Sequence, residues 1–165
     1  MPHKYLNEIG IESTDPRIFN TDAIEEPEYQ DEYNKEKSVH NFDCRETFEM
    51  DYTFATWLYE HLQAYKEFTK EVIDLEFHKF LIPVLYDIPE DKLIYINEDK
   101  AIAGQYKYEI IEEHTELEAI DIMIDYLKKY LIDTDSIDWK EEQIKTEYLQ
   151  GAIGILKEVI PALWW

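Results

Sequence analysis

Cysteine occurs once in the chain of 165 residues, at Cys44, so no disulfide can form within it. A lone thiol fits a reducing, cytoplasmic setting. Glycine occurs only four times, which excludes a glycine-rich loop that cradles phosphates. The three serines, Ser13, Ser38 and Ser136, lie in polar stretches and none sits in a nucleophile elbow. No apolar run approaches the ~20 residues that span a bilayer, and the start, MPHKYLNEIG, lacks the apolar core of a signal peptide. Basic residues are also scarce. Sixteen Lys and Arg face thirty-eight Asp and Glu, for a net charge of -22. Such an excess disfavours direct contact with nucleic acid or an anionic membrane, because both repel the same sign, and it favours basic partners.

Hydrophobic residues make up 45% of the chain, so this is not a disordered acidic tail. The length suits one domain with a full core. Thirteen tyrosines supply rings that can be buried while their hydroxyls reach water or a partner. Residues 1–41 carry ten acids and four bases and are punctuated by Pro2, Pro16 and Pro27. They read as an acidic, partly ordered leader with one helical turn marked by Tyr29 and Tyr33. Residues 42–165 carry twenty-eight acids and twelve bases and read as one domain, so the acidity belongs to the folded part as well.

The expected fold class is α+β, mainly α, with three long helices and a small antiparallel hairpin. The first helix is expected over about Arg45–Lys70, opened by a capping-box spacing at Asp43 and Glu46. Its stripe is Phe48, Tyr52, Ala55, Leu58, Leu62 and Tyr65, widened by Phe54, Trp57 and His61. The run from Val72 to Asp87 mixes apolar alternation with Pro83, and Pro89 follows it; these prolines limit any helix. Leu93–Ile96 and Ala101–Ile111 read as two strands joined by a turn over residues 97–100. Thr115 and Glu118 form a second capping box, followed by the stripe Leu117, Ile120, Ile124, Leu127 and Leu131, with Met123, Tyr126 and Tyr130 beside it. Asp138 and Glu141 open a third helix, from about Trp139 to Leu163, with the stripe Ile144, Tyr148, Ala152, Ile155, Val159 and Leu163. Gly151 and Gly154 weaken that helix by ~1 kcal/mol each relative to Ala, so they are expected where a neighbouring element approaches closely.

The segment ETFEMDYTFATWLYEHLQAYKE (46–67) resembles the hallmark of small proteins from phages and prophages of Gram-positive bacteria: Phe48, then Met50-Asp51, Ala55 and Trp57-Leu58. The stretches VIDLEFHKF (72–80), HTELEAIDIMI (114–124) and IPALWW (160–165) are similar to later parts of the same family. The resemblance covers roughly 42–165. It implies a phage accessory gene acting in the host cytoplasm, and it implies no activity and no site residues.

Few residues fall in a pattern that suggests chemistry. Asp51, three after Phe48 and four before Ala55, falls on the apolar stripe, and with His61 and His78 it marks a candidate buried polar site, where a carboxylate would need a partner. One cysteine and scattered histidines do not supply a structural zinc cluster, and no Glu-x-x-His pair suggests a di-iron bundle. Asp133, Asp135 and Asp138 lack the glycine and terminal Glu of a calcium loop. No cofactor, no metal and no enzymatic activity is expected. Residues 109–125 hold seven acids and no Lys or Arg. Glu112, Glu113, Glu116, Glu118, Asp121 and Asp125 are the candidate contacts for a basic surface on a host protein, with imitation of nucleic-acid charge as one form of that reading. The alternatives are a metabolite-binding protein, and an assembly protein that self-associates through Trp164 and Trp165.

Overall fold

A computed structural model describes residues 2–15, 18, 26–47, 49–98, 102–132 and 138–163. Phe48, the Asp133–Asp135 turn, Asp99 and Lys100 of the expected hairpin turn, and the Trp164–Trp165 pair lie outside them. The chain divides into two compact units, Met1–His61 and Leu62–Trp165, with the division inside a helix rather than at residue 41.

In the first unit, the residues expected as a leader form α1 (Lys4–Glu8) and α2 (Gln30–His40), and Leu6, Ile11, Ile18 and Tyr33 are buried. α3 (Met50–Thr69) starts in this unit, five residues later than its capping-box spacing suggested. The reason is Arg45. Asp43 is taken up by the Arg45 guanidinium (Nε to Oδ1 3.0 Å, Nη2 to Oδ2 2.7 Å) and by the Arg45 amide at the head of a 3₁₀ turn, so it does not open α3. The guanidinium also lies 4.0 Å from the Tyr33 ring centroid. Burial raises the Asp43 pKa, but the Arg45 hydrogen bonds outweigh it and hold the carboxyl below its usual range. Cys44–Thr47 winds as a short 3₁₀ turn, and Glu49 adopts a left-handed conformation (φ 45°) before α3 begins.

Among the described residues, the second unit holds the rest of α3, four strands and two helices: β1 (Lys79–Asp87), β2 (Tyr95–Asn97), β3 (Ile102–Ala103), β4 (Lys107–Thr115), α4 (Glu116–Leu131) and α5 (Trp139–Val159). The structure is thus α+β and mainly helical. β2 and β3 make the small hairpin, while the longer ladder joins β1 to β4 around it. The expected strand Ala101–Ile111 is two strands, interrupted at Gly104–Tyr106, and the ambiguous Val72–Asp87 run supplies β1.

The ladder explains why Pro83 can sit mid-strand. Ile88 N–H donates to Tyr106 O (2.9 Å) and Glu116 N–H to His78 O (3.1 Å), both on the β1–β4 register. The hydrogen-bonded pairs are therefore the even-numbered ones, such as Ile82–Glu112, and odd-numbered residues turn their N–H and C=O off the ladder. Pro83 stands opposite Ile111 in such a pair, so its missing N–H breaks no ladder bond.

α4 and α5 begin where their sequences place them. Thr115 Oγ1 accepts from Glu118 N–H (3.2 Å) and Asp138 Oδ1 from Glu141 N–H (2.7 Å). α4 buries Ala119, Ile120, Met123, Tyr126 and Leu127, so its apolar face centres to one side of the expected Leu117–Ile124 line. α5 gives way at Pro161 to a 3₁₀ turn, Ile160–Ala162.

β1 rests against α5 at its two glycines. A Cβ at Gly151 would lie 2.5 Å from Leu85 Cδ1 and 3.3 Å from Tyr126 Cδ2, whereas one at Gly154 would meet only Pro83 Cγ at 3.4 Å. The two positions should therefore respond oppositely to alanine. Gly154→Ala should stabilise by up to ~1 kcal/mol through helix propensity. Gly151→Ala should destabilise by about 1–3 kcal/mol, because the overpacking of Leu85 exceeds that gain. Urea denaturation of both variants checks the sign.

Candidate partner-binding surface

The surface forms where β4 runs without a loop into α4. Thr115 ends the strand and caps the helix, so β4 side chains and the first turns of α4 share one corner. His114 organises it. Its ring nitrogens lie 3.0 Å from Glu112 Oε1 and 2.6 Å from Glu118 Oε2, and Tyr86 donates its hydroxyl to Glu112. The hydrogen bond to Glu118 and, more weakly, that to Glu112 raise the His114 pKa despite partial burial. In return, Tyr86 and His114 lower the Glu112 pKa, and His114 lowers that of Glu118.

The six candidate acids do not form one bare row. Glu113 lies exposed, 3.6 Å from Lys79 Nζ. Asp121 pairs with Lys66, and Asp125 with Lys129 at 2.9 Å. Glu116 is not a surface residue: it is 2% exposed, and its Oε1 accepts from the Tyr65 hydroxyl at 3.2 Å. Burial raises its pKa, the reverse of its neighbours Glu112 and Glu118. Its partner Tyr65 lies 51 residues away in the chain, so local spacing does not reveal its burial.

Glu147 is a second acid that the sequence pattern missed. It is 7% exposed on α5. Its carboxylate accepts from Tyr106 N–H (2.9 Å) and Lys107 N–H (3.1 Å), closing the end of the ladder where β4 begins. Lys107 Nζ reaches Asp87; burial would lower its pKa, but that hydrogen bond raises it on balance. Beside them lies a cavity of about 320 Å³ lined by Leu85, Lys107, Glu109, Gln143, Glu147 and Gly151, among others.

Asp51, His61 and His78 are exposed, so the expected buried polar site is corrected: no desolvated carboxylate stands at Asp51. His61 instead stacks on Trp57 (centroids 4.3 Å apart). The cavity above and a smaller one at Glu36, Phe42 and Cys44 are lined by other residues. Among the described residues, no group of three or more His, Cys, Asp or Glu is placed to hold a metal ion. Nor is any helix among them long and apolar enough to cross a membrane.

Compared with protein-family models, with curated proteins and with solved structures, the chain matches none.

The corner has a defined pH signature. His114 carries a raised pKa, so its contribution is full below its ordinary value of 6.5 and fades as pH rises through the raised one. Glu112 and Glu118 carry lowered values, so theirs is full above the ordinary 4.5 and fades on acidification. The window runs between these two limits. Thermal melts of His114→Ala should show a larger drop in Tm at about pH 5.5 than at about pH 9, and an equal drop at both would show that the imidazolium plays no part.

Proposed function

We propose that this chain is an accessory protein of a phage or prophage that acts by binding a host protein with a basic contact surface. The observation that carries the reading is the make-up of the β1–β4 ladder and the α4 ridge. Tyr86, Tyr108 and Ile110 stand exposed on one face of the ladder beside Glu112, and Leu81 and Ile111 on the other beside Glu109 and Glu113, with Leu81 63% and Ile111 61% open to solvent. Exposed apolar side chains within a charged rim are the usual make-up of a protein contact surface. The second unit carries twenty-three acids and eleven bases, so its field draws in a cationic partner and repels a second acidic copy. The resemblance of residues 42–165 to phage and prophage proteins supplies the host context. Lys66, Lys79, Lys129 and His114 interrupt the row of acids. That favours a protein partner over imitation of duplex DNA, whose charges recur every ~1.7 Å of axis.

Capture from a Gram-positive lysate at low and high salt, with identification of the retained protein, tests the proposal. A basic protein should be held at low salt and released at high salt. Combined Glu113→Lys, Asp121→Lys and Asp125→Lys should weaken it at least about tenfold, which is about 1.4 kcal/mol. Unchanged affinity and salt dependence in that variant would contradict the reading.

A further inference from the structure

The two outer edges of the β1–β4 ladder are finished differently. On β1, Pro83 has no N–H to offer, and the outward Leu85 N–H donates to the Tyr126 hydroxyl at 2.9 Å. Those two residues block the middle of that edge. On β4, the outward residues are Lys107, Glu109, Ile111 and Glu113. Lys107 N–H is taken by Glu147. The backbone groups of Glu109, Ile111 and Glu113 have no hydrogen-bond partner among the described residues, and all three residues are exposed. An unblocked edge of this length is a template for another strand.

We infer that the outer edge of β4 at Glu109, Ile111 and Glu113 is a docking edge for an extended basic segment of the partner, which joins the ladder as a third strand. The inference rests on the basic-partner reading above and specifies how that partner is held. Backbone hydrogen bonds to the three outward residues supply the attachment, and alternate side chains supply the choice. On the face that carries Glu109, Ile111 and Glu113, an added strand sets its own residues against acid, apolar and acid, so the matching pattern is basic, apolar, basic at every second position. The cavity next to Glu109, lined also by Lys107 and Glu147, adjoins this face. A second copy of the chain fits poorly: pairing two β4 edges antiparallel about Ile111 sets Glu109 opposite Glu113 twice.

The test uses the full chain and the peptide acetyl-Thr-Lys-Val-Val-Val-Lys-Thr-amide. A control peptide of the same charge is N-methylated at both lysines and the central valine, the residues whose N–H groups would face β4. The unmodified peptide should bind saturably below roughly 1 mM and the N-methylated one at least about tenfold more weakly. Binding should also slow amide exchange at Glu109, Ile111 and Glu113. Ile111→Pro should abolish it while sparing the ladder, as Pro83 does across the pair. Equal binding of both peptides would overturn strand addition and leave charge attraction standing. No binding by either would overturn strand addition and leave the basic-partner reading to the capture experiment. A dimer that Ile111→Pro dissociates would make a second copy the occupant and overturn the proposal.

Discussion

The second unit depends on how closely β1 can approach α5. At Gly151 the helix has no side chain, and Leu85 fills the space a methyl group would take. Four residues earlier on the same helix, Glu147 reaches the ladder's end and accepts the amides of Tyr106 and Lys107. One absent side chain and one buried carboxylate thus seat the ladder on the helix. Leaving those two buried N–H groups unpaired would cost about 1–3 kcal/mol each, which is large against the stability of a domain this size.

That seating decides what the strands present. With β1 held beside α5 and its Leu85 amide given to Tyr126 of α4, the ladder keeps one edge for its own helices. β4 is left as the outer strand, with acids and Ile111 along it. The charge is managed unevenly. Glu112 and Glu118 are tied to His114, Asp121 and Asp125 to lysines, and Glu116 is taken out of water. Glu109 and Glu113, the latter 3.6 Å from Lys79, are exposed beside the unfilled backbone positions. Carboxylates there guard against pairing with a like-charged copy, and the same carboxylates admit a strand of opposite charge.

Much of the helical part was legible in the sequence, because its signals are local. Thr115 with Glu118 and Asp138 with Glu141 fix helix starts through contacts three residues apart. The glycines of α5 were legible as points of close approach, though not what approaches. What was not legible depends on distant partners. Asp43 and Glu46 have the same spacing as the true caps, but Arg45 between them claims the carboxylate. β1 was obscured by Pro83, which is harmless only because Ile111 faces it in a pair without hydrogen bonds. Glu116 and Glu147 look like surface acids; their burial follows from Tyr65 and from the Tyr106 and Lys107 amides, 51, 41 and 40 residues away. Asp51 errs the other way: its spacing from Phe48 and Ala55 set it on the apolar stripe, yet it is exposed.

Amide hydrogen exchange in the free protein reads the outer edge of β4 residue by residue. With that edge open, protection alternates along β4: Tyr108, Ile110 and Glu112, bonded to β1, exchange slowly, while Glu109, Ile111 and Glu113 exchange fast. Uniform protection from Tyr108 to Glu113 would mean that the edge is already covered, and the account would be wrong.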